Sequence, residues 1–97
     1  MAVVLVHQGA GLTQESYEEA VRRVTGGKMP AESPGDWPVE GLLVHAAGEG
    51  ENGFRVVDVW DSEESAQRFG ETLGPIIQEL GIEAKPDMYP AHTFVSA

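Results

Sequence analysis

Asp58 interrupts the apolar run Val56-Val57-Asp58-Val59-Trp60 at a point where a buried strand would carry an aliphatic side chain. A carboxylate drawn out of water in this way is suited to act as a general base. Arg55 lies an odd number of residues away and points to the opposite face of an unbroken strand, which removes the nearest charge partner. The alternative is that Asp58 accepts hydrogen bonds from a histidine or an indole and serves packing alone. His7, His45 and His92 all fall in strand-like segments. No two of them have the i, i+4 spacing of a helical zinc motif, so no metal site is expected. As neutral imidazoles, His45 and His92 are candidate bases alongside Asp58, and His7 is a candidate ligand contact. Trp60, Trp37, Tyr17 and Phe69 are candidate walls for a flat ligand, and each could equally be core. Trp37 shares the proline-bearing stretch Lys28 to Glu40 with Met29. A large side chain there could act as a lid, cover a sheet edge or reach a second protomer.

The elements that must position these residues follow from local pattern. Ala2 to Gln8 is rich in β-branched side chains and closes on Gly9-Ala10-Gly11, so it reads as a buried strand. Thr13 is suited to cap a helix, with Leu12 and Tyr17 as its hydrophobic staple and Tyr17, Ala20, Val21 and Val24 as its apolar stripe. The helix should end at Gly26-Gly27. Pro30, Pro34 and Pro38 make Lys28 to Glu40 a long surface loop. Gly41 to Gly48 and Phe54 to Asp61 are two apolar runs around a glycine-rich connection, the pattern of a β-hairpin. If it turns tightly at Asn52-Gly53, His45 lies opposite Trp60 and Ala47 opposite Asp58, which gathers His45, Asp58 and Trp60 on one face. A looser turn shifts the register by one and sends His45 to the other face.

Ser62 or Asp61 can cap a second helix with Glu63 and Glu64 in its first turn. Its stripe is Ala66, Phe69, Leu73, Ile76 or Ile77, and Leu80, and Gly74-Pro75 should kink it or split it in two. His92 to Ser96 alternates enough to be a last strand after Pro86 and Pro90. The expected order is β-α-β-β-α-β, an α+β ferredoxin-like unit with a four-stranded antiparallel sheet, spanning 1–97 as a single domain.

Composition narrows the function classes. The chain of 97 residues has no cysteine, so thiolate and disulfide chemistry are excluded, and a reducing, cytoplasmic setting is expected. With 16 acidic and 6 basic side chains the formal net charge is -10, which disfavours nucleic acid and anionic membrane surfaces as partners. The apolar run at the start is too short for a signal peptide or a membrane span. There is no phosphate-binding glycine loop, nucleophile elbow or dinucleotide fingerprint.

The strands carry a further message. Val3 to Val6, Leu42 to Val44, and Val56, Val57 and Val59 place apolar side chains on both sides of the pleat, whereas two helices cover one side of a sheet. Leaving roughly ten apolar side chains wet forgoes on the order of 15 kcal/mol, so a second copy of the chain is the expected cover.

The segment FRVVDVWDSEESAQRF, the element order and the short final strand after YPAH resemble the dimeric α/β-barrel superfamily, in its antibiotic-biosynthesis-monooxygenase-like branch. The resemblance implies a homodimer closed face to face, with a pocket between helices and sheet in each protomer. It also implies a small apolar or aromatic ligand and, as one activity, cofactor-independent monooxygenation of an aromatic or polyketide-like substrate. Trp60 falls where haem-degrading and quinone-forming members keep a pocket tryptophan. Haem is argued against: those members carry their iron-ligating histidine where this chain has Phe69-Gly70-Glu71, and their first-strand asparagine is replaced in the stretch of His7 and Gln8. No cofactor is therefore expected. The rival readings are a non-enzymatic ligand-binding or accessory dimer, and a structural dimer without a pocket. A shared cavity of about 300 Å³ or more would favour the ligand-binding readings.

Overall fold

A computed structural model of the chain describes residues 1–27, 34–51, 53–83 and 85–95. Lys28, Met29, Pro30, Asn52 and Ser96 lie outside the described residues. Strand β1 (Val3–Gln8) is followed by helix α1 (Gln14–Val24), a 3₁₀ turn (Pro34–Asp36), the hairpin strands β2 (Leu42–Gly50) and β3 (Gly53–Trp60), helix α2 (Glu63–Glu79) and strand β4 (Lys85–Pro90). The strands form a four-stranded sheet in the order β2-β3-β1-β4, antiparallel throughout. This is the ferredoxin-like arrangement, with both helices packed on one face of the sheet.

Local chemistry sets the helix starts. Thr13 and Ser16 cap α1 reciprocally: the Ser16 amide donates to Thr13 Oγ1 at 3.1 Å and the Thr13 amide to Ser16 Oγ at 2.9 Å. Ser62 caps α2 by accepting from the Ser65 amide at 3.1 Å. The turn after β1 is pressed against the turn after α2, where the Glu83 amide donates to Ala10 O at 2.8 Å. Gly11 has φ +83°, and a Cβ there would lie 2.5 Å from the Gly81 carbonyl oxygen, so the approach needs glycine.

Three expectations are corrected. Helix α2 runs unbroken through Pro75, whose exposed position leaves its ring in water. The one backbone bond lost at the Glu71 carbonyl weighs less than continued burial of the stripe on the opposite side, where Leu73 and Ile77 pack on the core. The last strand is Lys85–Pro90, and His92 to Val95 lies beyond it. The Ala91 amide donates to Ala2 O at 2.9 Å, so odd-numbered residues in this stretch turn their amides toward β1. Pro86 and Pro90 share the other parity, and their missing amides face the open edge, where a strand tolerates proline and is shielded from further pairing. Finally, the hairpin closes at Gly50 opposite Gly53, so His45 pairs with Asp58 and Ala47 with Val56. The shift from the expected register is two residues, an even number, which leaves His45 and Ala47 on their expected face.

The two faces of the sheet differ. Val3, Leu5, Leu42 and Trp60 on the inner face pack with Ala66 and Phe69 of α2. On the outer face Val4 pairs with Val59 and Tyr89, Val6 with Val57, Val57 with Ala46, and Val59 with Val44. Val6 is buried there, while Val44 is 37% and Tyr89 48% exposed. Among the described residues no helix is long and apolar enough to cross a membrane.

Candidate functional site

The site begins with an irregularity in β2. Leu42 pairs with Trp60 and Val44 with Val59, so Leu43 is an extra residue, a β-bulge. In an unbroken strand Leu42 and His45, three apart, would face opposite ways. The bulge lets Leu42 enter the core and still turns His45 inward, directly across from Asp58. Asp58 is 1% exposed, flanked along the same face of β3 by Val56 and Trp60. Tyr17 reaches the same point from the first turn of α1, positioned by the capped start at Thr13 and by packing on Leu12, Phe54 and Val56.

These three side chains form one hydrogen-bonded chain. His45 Nδ1 lies 2.5 Å from Asp58 Oδ1, and His45 Nε2 lies 2.6 Å from the Tyr17 hydroxyl oxygen. An ionised carboxylate only accepts, which assigns the proton to His45 Nδ1 and leaves Nε2 as an acceptor for the Tyr17 hydroxyl. The direction is therefore Tyr17 O–H to His45, and His45 N–H to Asp58. Burial, followed by the charges of Asp58 and Glu18, holds the Tyr17 hydroxyl above the ordinary phenol pKa, so it stays protonated at neutral pH.

Around the chain is a small apolar cavity of about 60 Å³. Its polar lining comes from Tyr17, His45, Asp58 and His7, with Trp37 and Phe69 among its apolar walls. The Trp37 and His45 ring centroids lie 4.6 Å apart, so the indole covers the imidazole. His7 is buried on the inner face of β1, and burial lowers its pKa below the ordinary imidazole value, with Asp58 opposing and His45 adding to the effect. It is neutral near pH 7. Among the described residues no group of three or more histidine, aspartate or glutamate side chains could hold a metal ion.

The structure thus gathers His7, Tyr17, Trp37, His45, Asp58 and Phe69 around one space and leaves out Trp60 and His92. Trp60 is 0% exposed, its ring 5.0 Å from that of Phe69, and its Nε1 is buried with no acceptor among the described residues. His92 is exposed beyond β4. The role of the Tyr17 hydroxyl is absent from the sequence reading, which uses the residue as a staple and a wall. Its polar end on an otherwise apolar stripe is the one signal available. Leu73 and Ile77 of α2 complete the cavity as ordinary stripe residues.

Neither a family model nor any curated protein matches the sequence at a significant level. Solved structures do. SnoaB, a cofactor-independent oxygenase from Streptomyces nogalater, superposes with a TM-score of 0.59 at 15% identity, over 99% of this chain and 98% of that one. A candidate monooxygenase from Shewanella loihica PV-4 gives 0.56 at 17% identity, over 96% of each chain. The chain has the fold of these oxygenases. At such identities the likeness is one of fold.

Proposed function

We propose that the chain is a small-molecule pocket protein of this class, acting as a cofactor-independent monooxygenase on an aromatic or polyketide-like substrate. The observation that supports it is the Tyr17–His45–Asp58 chain opening onto a largely apolar cavity, on a fold shared with such an oxygenase. Removal of an acidic phenolic or enolic proton leaves an anion with carbanion character at carbon. That carbon forms a bond to dioxygen, and the peroxide takes up a proton. Loss of a C–H proton with O–O cleavage then yields a carbonyl and water, so the substrate supplies all the electrons. The protein contributes a base, desolvation and orientation.

At about 60 Å³ the cavity is small beside the ~300 Å³ or more of a typical ligand site. An aromatic substrate therefore enters only when a wall moves, and half-buried Trp37, on a segment with little regular structure, is the wall to move. By the same standard the small volume counts toward a second reading, a dimer in which these residues serve structure or an accessory role without catalysis. Oxygen uptake with a panel of anthrone-like and hydroquinone compounds separates the two. Wild type should consume oxygen, and Asp58→Asn should lower turnover by about 100-fold or more. Equal turnover in both proteins removes Asp58 from the mechanism, and saturable binding with no uptake leaves the accessory role.

The same proposal includes a homodimer in a reducing, cytoplasmic setting. The outer sheet face of Val4, Val6, Val44, Ala46, Val57, Val59 and Tyr89 has the apolar character a partner sheet would cover. Sedimentation at micromolar concentration should give twice the chain mass, and a well-folded monomer there would end the dimer reading.

A further inference from the structure

His45 has no nitrogen left for a ligand: Nδ1 is held by Asp58 and Nε2 by Tyr17. Asp58 is buried behind it and engaged by it. At the outer end of this chain the Tyr17 hydroxyl meets the cavity: its O–H donates to His45 Nε2, and its oxygen still has lone pairs with which to accept a proton from a bound molecule. Tyr17 lines the cavity and is held from three directions, by its hydrogen bond to His45, by Phe54 at a ring centroid distance of 5.1 Å, and by the capped start of α1.

We propose that Tyr17 is the catalytic residue that meets the substrate's acidic hydrogen, passing its own phenolic proton to His45 as it accepts the substrate's. The substrate O–H bond breaks and a new Tyr17 O–H bond forms. The original Tyr17 O–H bond breaks and a His45 Nε2–H bond forms. The products are a substrate anion and an imidazolium beside the Asp58 carboxylate, and no net charge is created. Tyr17 is a conduit and never a standing phenolate. Asp58 is a positioning residue that holds the tautomer and stabilises the imidazolium. The Tyr17 hydroxyl is bonded to His45 on β2 and feels the charges of Asp58 on β3 and Glu18 on its own helix, and His7 on β1 lines the same cavity. His7 is buried and forms no hydrogen bond among the described residues, so it is available to donate to a second oxygen of the same ligand.

This rests on the cavity being the substrate site, and the test keeps the two failures apart. Tyr17→Phe retains the ring and its packing and removes only the hydroxyl. Turnover should fall about 100-fold or more, with ligand affinity changed by only a few-fold. Replacing Tyr17 with ring-fluorinated tyrosines of graded acidity should change the rate in a graded way, a response that a packing role would not give. Turnover of Tyr17→Phe within about threefold of wild type, in the range a lost peripheral contact gives, overturns the proposal. If wild type oxidises none of the panel, the oxygenase reading fails and the relay is judged on 4-nitrophenol alone. Wild type should convert it to the coloured phenolate below its solution pKa, and Tyr17→Phe and His45→Gln should not. Absence of that conversion by wild type, or its persistence in Tyr17→Phe, overturns the relay.

Discussion

Asp58 and Trp60 stand two residues apart on the same face of the same strand, 1% and 0% exposed, yet they have opposite surroundings. Asp58 holds His45 in a chain of hydrogen bonds that ends in a cavity. Trp60 lies in closed packing with Val3, Leu5, Leu42, Ala66 and Phe69, and its one polar side-chain atom is buried without a partner among the described residues. Residue type alone leaves both open, the tryptophan as ligand wall or core and the aspartate as a base or a packing acceptor. The difference lies in what comes across from other elements: a helix-borne aromatic ring fills the space over Trp60, whereas a bulged strand and a tyrosine hydroxyl arrive over Asp58. Chemistry follows the space and the partners, and burial by itself does not distinguish the two.

Four substitutions at three positions can break that contrast. Trp60→Ala should cost about 3–5 kcal/mol in urea unfolding, the range for deleting a buried aromatic in a closed core, while residual folded protein still binds ligand. A loss of binding greater than the loss of folded protein would return Trp60 to the site. Asp58→Leu should cost about 1–3 kcal/mol, because it strands the His45 N–H, and it should also release His45 from its tautomer, visible in nitrogen chemical shifts. An unchanged tautomer would mean that Asp58 does not orient the ring.

A smaller effect comes from His7. Its folded-state pKa lies below the ordinary imidazole value, so the unfolded chain binds the proton more readily. The stability it contributes is complete above the unfolded value and is lost as the pH falls below it, by at most about 1.4 kcal/mol per pH unit. His7→Phe should flatten the unfolding free energy measured between pH 7 and pH 5; an unaltered slope would assign the acid sensitivity elsewhere. Smallest of all, Trp60→Phe should change stability by about 1 kcal/mol or less, since the smaller ring loses some packing but relieves the indole N–H that has no acceptor. A large loss would show that the N–H does find a partner in solution.

Much of the fold is legible in the residues. Thr13 with its staple and Ser62 with its acidic first turn mark helix starts because capping is a contact between residues three or four apart. The apolar runs at β1, β2 and β3 mark strands for the same local reason. Reading failed where a local rule had a tertiary exception. Pro86 and Pro90 argued against a strand until the parity of their missing amides placed them on an open edge, and Pro75 argued for a break that burial of the α2 stripe overrides.

The sequence by itself determined the order of elements, the apolar character of both sheet faces, and the presence of an ionisable residue on the inner face of β3, since these depend on neighbours along the chain. Only the tertiary structure decided that Tyr17, His45 and Asp58 meet and that Trp60 and His92 do not join them. That meeting depends on one extra residue in β2, on where the hairpin closes, and on the seat of α1 against the sheet. All three are set by packing between segments far apart in sequence.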